Sequence, residues 1–413
     1  ALTVKQPDGQ EVNYSKEMMK LYFQNEDPSF DLLFDSQDEG QTYVDRYKAN
    51  ILADGSTVVA ERVSFAPQPQ SAMTIIDQHT GYVKAIIGGR GTKTASLTLN
   101  RATDSTRQPG STFKIVSTYA AALNEKGMTL ATTYEDQPIT YDNGAPVNNA
   151  SGSFNGTTTI RTAIRNSVNT VAVQCFEDVT PELGLKYLDN FGFTTLAHGT
   201  EADTDANGNV YTDANLPTAL GGLTYGVKNV ELCAAYAAIA NYGVYNEPKL
   251  YTKVLDHDGN ILIDNTAAAS HRVIKESTAW LLDSALRSVV TDNITFLDSK
   301  NMYYAGKSGT SQLNTDKWFI GFSPYYTAGV WIGNDDSTPV NTNYYTMPQL
   351  NIWKDIMEHA HEGLEYTEVQ KPYNIVEAEV CASSGKLAIP GLCDSDPRGS
   401  QVIKEYFEDG TVP

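Results

Sequence analysis

The stretch RQPGSTFKIV, residues 107 to 116, decides how this chain folds and what chemistry it can offer. Pro109 and Gly110 break the chain, and the residues after them carry apolar side chains at helical spacing. Ser111 is therefore predicted at the start of a helix. Lys114 follows one turn later, on the same face of that helix.

A serine and a lysine in this arrangement can act as a nucleophile and its base. A serine hydroxyl attacks well only when a neighbouring base takes its proton. A lysine is such a base only while it is neutral, a form that burial favours. Taken alone, however, the pattern is better explained by a helix-capping serine beside a solvated lysine. The interpretation therefore depends on what else the chain contains.

Two further motifs follow in order. The sequence SVN, residues 167 to 169, lies within a stretch from 161 to 176 that is predicted to form one helix. The sequence KSGT, residues 307 to 310, precedes two strand-like runs at 318 to 322 and 327 to 332. Each motif is common by chance, but all three in this order, each on a fitting element, form a specific pattern.

Composition limits the classes of function. The chain has 413 residues and a net charge of -20, which excludes a general affinity for nucleic acid. It contains no apolar run of transmembrane length. Cys175 and Cys233 lie in apolar runs and are predicted to be buried thiols. Cys381 and Cys393 lie close together in a loop-rich tail, where either a disulfide or two free thiols fits the spacing.

The order of predicted elements indicates an α+β fold. Residues 1 to 66 form a polar, irregular linker or pedestal region, which ends near two prolines. Apolar runs at 72 to 77 and 82 to 89 flank a glycine turn and predict a hairpin. Hairpins interleaved with helices fit a central antiparallel sheet covered by helices. Beyond residue 366 the chain is turn-rich.

Residues 72 to 363 resemble the transpeptidase domain of class A penicillin-binding proteins. Besides the three motifs, the resemblance depends on these short stretches: ID at 76–77 with TG at 80–81, RQPG at 107–110, SVNT at 167–170, LGG at 220–222, YGV at 225–227, AAY at 234–236, WFIG at 318–321 and WIGND at 331–335. It implies a central antiparallel sheet covered by helices, with an adjoining all-helical subdomain. It also implies a transpeptidase domain at 67 to 365 and a C-terminal extension at 366 to 413.

The resemblance implies acyl transfer between peptidoglycan stem peptides, without a metal or another cofactor. Ser111 would attack the peptide bond between two terminal D-alanines, and Lys114 would accept the serine proton. An acyl-enzyme would remain until an amine from a neighbouring stem resolves it. Ser167 would relay the proton to the leaving amine, and Asn169 would hold Lys114 and a substrate amide.

The third motif would bind the substrate. Lys307 would supply positive charge near the second motif and the substrate carboxylate. Ser308 and Thr310 would line the groove and bind that carboxylate, while Gly309 would leave room for substrate to lie against the strand. The backbone N–H groups of Ser111 and Thr310 would form the oxyanion hole. The same site would be acylated by β-lactams.

Two departures from the family pattern are visible. The family often has threonine where this chain has Ser308, which is a mild change. Class A proteins also carry a membrane anchor and a glycosyltransferase domain before this region, and neither is recognisable here. We expect both to lie upstream, and the domain to work at the extracytoplasmic face of the bacterial cell membrane.

Other functions remain open at this stage. A D,D-carboxypeptidase or a β-lactamase of the same superfamily would use the same three motifs. A class A β-lactamase needs a deacylating glutamate between the second and third motifs, and Glu201 and Glu231 lie in that interval without a matching local pattern. A catalytically inert wall-binding module is the third alternative, although the intact motifs argue against it.

Two weaker signals suggest metals but are better explained without them. The loop that opens at Asp203 resembles a calcium loop, yet its twelfth position is Ala214, where a bidentate glutamate is needed. His359 and His361 are two residues apart on a predicted helix, so they point in different directions. We therefore predict no metal site.

Overall fold

The computed structural model describes residues 1–52, 54–93, 96–267, 269–340 and 347–413. The chain forms two compact units, Ala1–Pro67 and Gln68–Pro413. No helix within the described residues combines the length and the apolar character needed to cross a bilayer.

The first unit has its own sheet and its own small core. It contains the strands β1 (Leu2–Lys5), β2 (Glu11–Tyr14) and β3 (Thr57–Glu61) and the helices α1 (Lys16–Gln24) and α2 (Gln37–Ile51). The strands pair antiparallel in the order β2-β1-β3. Ser15 and Ser36 cap the two helices by accepting a hydrogen bond from a backbone N–H group. Met19, Phe23 and Tyr47 form the buried core. The unit is therefore more regular than the sequence suggested.

The second unit is mixed. Its strands are β4 (Gln70–Asp77), β5 (Tyr82–Ile87), β6 (Thr133–Asp136), β7 (Ile139–Thr140), β8 (Pro146–Val147), β9 (Gly156–Thr159), β10 (Val244–Asn246), β11 (Lys253–Leu255), β12 (Ile261–Asp264), β13 (Ser270–Arg272), β14 (Ala305–Thr310), β15 (Asp316–Phe322), β16 (Thr327–Gly333), β17 (Ile375–Cys381) and β18 (Val402–Glu408). Its α-helices are α3 (Ala120–Asn124), α4 (Ile160–Asn166), α5 (Asn169–Val179), α6 (Pro181–Asn190), α7 (Asn229–Ala240), α8 (Glu276–Ser288) and α9 (Pro348–Ala360).

A five-stranded antiparallel sheet organises this unit. Its strand order is β14-β15-β16-β4-β5, so the predicted hairpin forms one end and the KSGT strand the other. Every residue of β15 and β16 is buried. A strand that is covered on both faces carries continuous apolar residues, which explains the uninterrupted runs seen in the sequence.

Helices cover both faces of the sheet. Gly329 and Ala328 are neighbours on β16 and point to opposite faces. A Cβ atom at Gly329 would lie 3.3 Å from Cys233 of α7, whereas one at Gly321, which pairs with Ala328, would lie 2.8 Å from Trp353 of α9. The predicted α+β fold, with its helix-covered antiparallel sheet, is confirmed.

The adjoining part of the unit is mainly helical. Helices α3, α5 and α6 pack with a π-helical turn at Ile115–Tyr119, and α4 packs with α5. The short strand pairs β6–β9 and β7–β8 lie in the same region of the chain. The C-terminal residues contain the antiparallel pair β17–β18, where the sequence indicated only turns. All four cysteines are buried free thiols, as predicted for Cys175 and Cys233.

Candidate active site

The RQPGST stretch, residues 107 to 112, forms a tight turn that leads into a helix, the helical entry. Gly110 has a φ of 56°, and a 3-10 turn covers Gly110–Thr112. The Thr112 hydroxyl donates 2.8 Å to the Pro109 carbonyl and closes this turn. A π-helical turn follows at Ile115–Tyr119, so the helix predicted after Ser111 is present but is not a regular α-helix. Ser111 itself is half-buried.

Lys114 is completely buried and reaches the second motif. Its Nζ atom donates to the Ser167 carbonyl at 2.7 Å, to the Ser167 hydroxyl at 3.2 Å and to Asn169 Oδ1 at 2.5 Å. Burial, together with the neighbouring charge of Lys307, holds the pKa of Lys114 well below its usual range. The amine is therefore a solvent-excluded group that can exist in its neutral form.

Ser167 interrupts what the sequence predicted as one helix. The stretch from 161 to 176 consists of two helices, α4 and α5, and Ser167 between them has a left-handed backbone, with φ 56° and ψ 42°. A non-glycine residue in this region is uncommon and often marks a functional position. Here the break allows the Ser167 carbonyl and its hydroxyl to face the same amine, so the single predicted helix is wrong for a reason that concerns the site.

Lys307 approaches the Ser167 hydroxyl from the sheet. Its Nζ atom donates to Ser167 Oγ at 3.0 Å and to the Ser308 carbonyl at 2.9 Å. Burial lowers the pKa of Lys307 to about 7. Ser167 Oγ thus accepts hydrogen bonds from two lysines, which leaves its own O–H free to donate elsewhere.

The strand that carries Lys307 packs directly on the helical entry. A Cβ atom at Gly309 would lie 2.5 Å from the Pro109 carbonyl oxygen and 2.9 Å from Thr112 Cγ2. Sequence reasoning explained this glycine by room for substrate, but the nearest atoms belong to the protein itself. Ser308 is half-buried and Thr310 is exposed. All eight predicted site residues therefore lie on three segments that contact one another.

Several residues outside the three motifs hold the entry in place. Gln108 exchanges two hydrogen bonds with the backbone of Leu223, at 2.8 and 2.9 Å. The indole of Trp318 donates to the Gln108 carbonyl at 2.9 Å. Tyr236 donates to the Thr112 carbonyl at 2.6 Å. Both aromatic residues are buried, and the sequence gave no sign of their polar contacts.

The residues that gave the two weaker metal signals have ordinary contacts within the protein or lie exposed at its surface. Asp203 accepts its hydrogen bonds from His198 and Thr200 of its own loop. His361 is buried and pairs with the Ser323 hydroxyl at 2.6 Å, while His359 is exposed. Over the described part of the chain, no group of three or more His, Cys, Asp or Glu side chains is placed to hold a metal ion.

Comparison with protein families gives two matches. The model of the penicillin-binding protein transpeptidase domain matches residues 71–358, and that of the penicillin-binding protein 1A C-terminal domain matches residues 371–413.

Curated relatives include penicillin-binding protein 1A of Clostridium botulinum strain Hall and of Clostridium tetani. The first is 36% identical over 357 residues, covering 84% of this chain and 41% of the relative. The second is 36% identical over 360 residues, covering 84% of this chain and 44% of the relative. The chain therefore spans less than half the length of these two relatives.

Solved structures show the same fold. Penicillin-binding protein 1A from Haemophilus influenzae superposes with a TM-score of 0.69 at 23% identity, over 87% of this chain and 57% of that one. The PonA1 protein from Mycobacterium tuberculosis, solved in complex with penicillin V, gives 0.63 at 24% identity, over 80% and 84% of the two chains. With the family model covering most of the chain, the conclusion is direct: this chain belongs to the penicillin-binding protein transpeptidase family.

Proposed function

We propose that this chain is a serine D,D-transpeptidase, which cross-links peptidoglycan stem peptides through an acyl-enzyme on Ser111. The single observation that carries the proposal is the buried Lys114 amine, shared between Ser167 and Asn169 one helical turn from the serine. A buried amine with a lowered pKa is a suitable acceptor for a serine proton.

The acylation step uses the side chains in sequence. The Ser111 oxygen attacks the carbonyl between two terminal D-alanines, and its proton goes to the neutral Lys114 amine. The backbone N–H groups of Ser111 and Thr310 stabilise the tetrahedral oxyanion, by about 3 kcal/mol for each donor. When the C–N bond breaks, the leaving amine takes a proton from the Ser167 hydroxyl, which Lys114 replenishes. Terminal D-alanine departs and an ester with Ser111 remains.

The third motif binds the donor and the second motif completes the cycle. Lys307 supplies positive charge beside Ser167 for the substrate carboxylate, which Ser308 and Thr310 bind from the exposed side of the strand. An amine from a neighbouring stem then attacks the ester, and its proton returns through Ser167. The cross-link forms and Ser111 is regenerated. A β-lactam acylates Ser111 in the same way, but the cleaved ring stays attached and blocks the acceptor.

The resemblance to class A proteins also suggests where this domain works. We infer that it acts at the extracytoplasmic face of the bacterial membrane, where stem peptides are joined. It would do so beside the glycosyltransferase domain and membrane anchor that proteins of this class carry.

The direct test is the mass of the intact protein before and after incubation with benzylpenicillin. We expect one stable adduct, located on Ser111 by peptide mapping and absent from the Ser111→Ala variant. Ser117→Ala is the matched control, because that buried serine in the π-helical turn donates to the Phe113 carbonyl and otherwise contacts only the hydroxyl of Thr118. An adduct mapped to any other serine would refute the assignment.

Two further measurements separate the related enzymes. A chromogenic cephalosporin that is turned over continuously would favour a β-lactamase, whereas a stable adduct favours the transpeptidase. A stem-peptide donor supplied with an acceptor amine should give a cross-linked product. Release of D-alanine with hydrolysis alone would favour the D,D-carboxypeptidase, and no adduct with any β-lactam would favour an inert wall-binding module.

A further inference from the structure

A buried hydrogen-bond network lies behind the second motif. Asp136, at the end of β6, is buried and belongs to none of the three motifs. Its Oδ1 atom accepts 2.6 Å hydrogen bonds from Asn149 Nδ2 and from the Thr170 hydroxyl. Its Oδ2 atom accepts from the Asn155 backbone and side chain at 2.8 and 3.1 Å. Four donors therefore surround one carboxylate.

Asn149 connects that carboxylate to the start of α5. The residue before the helix, Val168, provides no side-chain cap. Instead, Asn149 Oδ1 accepts the N–H group of Asn169 at 2.9 Å and that of Thr170 at 3.4 Å. The first N–H groups of a helix need partners from outside the helix, so Asn149 caps α5 from a separate loop.

The same loop fixes the direction of the Asn169 side chain. Asn169 Nδ2 donates to the carbonyl of Asn148 at 2.6 Å, which turns Oδ1 towards the Lys114 amine. Asn148 is the neighbour of Asn149, and Asn149 is tied to the Asp136 carboxylate. The orientation of the Asn169 amide thus depends on the Asp136 carboxylate, to which it is connected through Asn148 and Asn149.

The carboxylate is held in its charged form. Burial alone would raise the pKa of Asp136, but the hydrogen bonds from Thr170, Asn149 and Asn155 lower it below its ordinary value. An asparagine at this position would keep the shape of the side chain. It would, however, replace one acceptor oxygen with an NH2 group that faces existing donors.

We propose that Asp136 and Asn149 are positioning residues for the acylation step, acting through Asn169. They hold the α5 N-terminus and the Asn148 carbonyl so that Asn169 Oδ1 stays on the Lys114 amine. The inference rests on the proposed acyl-enzyme function and adds residues that none of the three motifs contains.

A double-mutant cycle on the rate constant for acylation by benzylpenicillin tests the proposal. We expect Asp136→Asn and Asn149→Ala each to slow acylation by about tenfold or more, because small displacements of catalytic groups have large effects on rate. In an Asn169→Ala background, Asp136→Asn should change the rate by less than about twofold, because residues acting through one group are not additive. A general loss of structure would not produce that pattern.

Asp203→Asn is the matched control. It makes the same isosteric change at a buried carboxylate, whose hydrogen-bond donors among the described residues all lie in its own loop. We expect its acylation rate to equal that of the wild type. Should Asp136→Asn fail to fold, Asn149→Ala takes its place in the cycle, because it keeps the carboxylate and its bonds to Thr170 and Asn155.

The outcomes are distinct. If wild-type protein forms no penicillin adduct, the acyl-enzyme proposal fails and this inference fails with it. If wild type is acylated but both variants react at its rate, only the positioning role is refuted. If Asp136→Asn slows acylation by the same factor in the Asn169→Ala background as in the wild type, a role exercised through Asn169 is likewise refuted.

Discussion

Two lysines converge on one hydroxyl at the centre of the site. Lys114 and Lys307 both donate to Ser167 Oγ, at 3.2 and 3.0 Å, and both are buried. Two buried ammonium groups this close would repel each other and would each lose hydration, so the neutral form of at least one is favoured. Burying both lysines therefore keeps a base in its deprotonated form but lowers the free energy of unfolding.

Replacing Lys307 by methionine should show how much this buried lysine lowers the stability of the folded protein. The pKa of Lys307 falls from its ordinary value of 10.5 to about 7 in the folded protein. Between these pH values the unfolded chain binds the proton and the folded one does not, so the wild type loses stability as the pH falls. Lys307→Met removes this effect. The free energy of unfolding of the variant minus that of the wild type should therefore increase as the pH is lowered from about 10 towards 7. The increase should be up to about 1.4 kcal/mol per pH unit.

The measurement is chemical denaturation of both proteins at several pH values in that range, followed by tryptophan fluorescence. A difference between the two free energies that stays constant with pH would show that Lys307 remains charged in the folded state. Below about pH 7, where folded Lys307 binds its proton, acylation by penicillin should also slow in the variant, because the substrate carboxylate loses its positive partner.

The loop before Ser111 depends on close backbone contacts. Gly221 has a φ of 77°, and a Cβ atom there would lie 2.6 Å from both the nitrogen and the carbonyl oxygen of Gly110. Gln108 and Trp318 fix the same loop through hydrogen bonds to the backbone. Such contacts leave the loop no room to adjust, since backbone atoms cannot move aside as a flexible side chain can.

Gly221→Ala should therefore displace the serine. We expect acylation by penicillin to fall by about a hundredfold, because a shift of an ångström in a reacting group is enough for that loss. Gly208→Ala is the matched control: its φ of 84° imposes the same backbone strain, but nothing lies within 4 Å of the added Cβ atom.

Both substitutions should destabilise the protein, by about 1 kcal/mol or more from the positive φ. Only Gly221→Ala should reduce the acylation rate, measured with a fluorescent penicillin at fixed temperature. Equal rates in the two variants would mean that the entry to the helix tolerates movement at Gly110.

The sequence predicted the main sheet well and the shape of the site only in part. The hairpin of β4 and β5 and the strands β15 and β16 are visible because their periodicity is local. The break at Ser167 is not, because glycine is the usual signal for a left-handed helix end and serine is not. Here hydrogen bonds to the last turn of α4 and the contacts with Lys114 both hold Ser167 in place. Asp136 and Asn149 escaped notice for a similar reason: each is polar and ordinary until the fold places it behind the second motif.

The C-terminal strands were missed because they pair over a long connection. Residues 382–401 separate β17 from β18, and this segment is rich in glycine, serine and proline. Turn signals dominate such a stretch, while the pairing that makes the strands is non-local. The three motifs of the candidate site remained recognisable because each is short and continuous, whatever the fold does between them.

In the unit formed by residues 68–413, one of the ion pairs between distant parts of the chain is fully buried on its acidic side. Arg161, on the helix that leads to Ser167, binds both carboxylate oxygens of Glu405 of β18, at 2.6 and 2.7 Å. The same guanidinium donates to the carbonyl and hydroxyl of Ser284 on α8. Glu405 is fully buried, so this pair joins the C-terminal strands to the helices near the site.

Replacing one partner of that pair should destabilise the protein strongly, whereas replacing both partners should not. Glu405→Leu leaves the guanidinium of Arg161 without its anion and should lower the free energy of unfolding by about 3 kcal/mol. The double variant Arg161→Met with Glu405→Leu should recover to within about 1 kcal/mol of the wild type, because no uncompensated charge remains. All four tryptophans lie beyond residue 68, so tryptophan fluorescence during denaturation reports on this unit alone. A double variant no more stable than Glu405→Leu would show instead that the bonds of Arg161 to Ser284, and not the ion pair, hold α4 and α8 together.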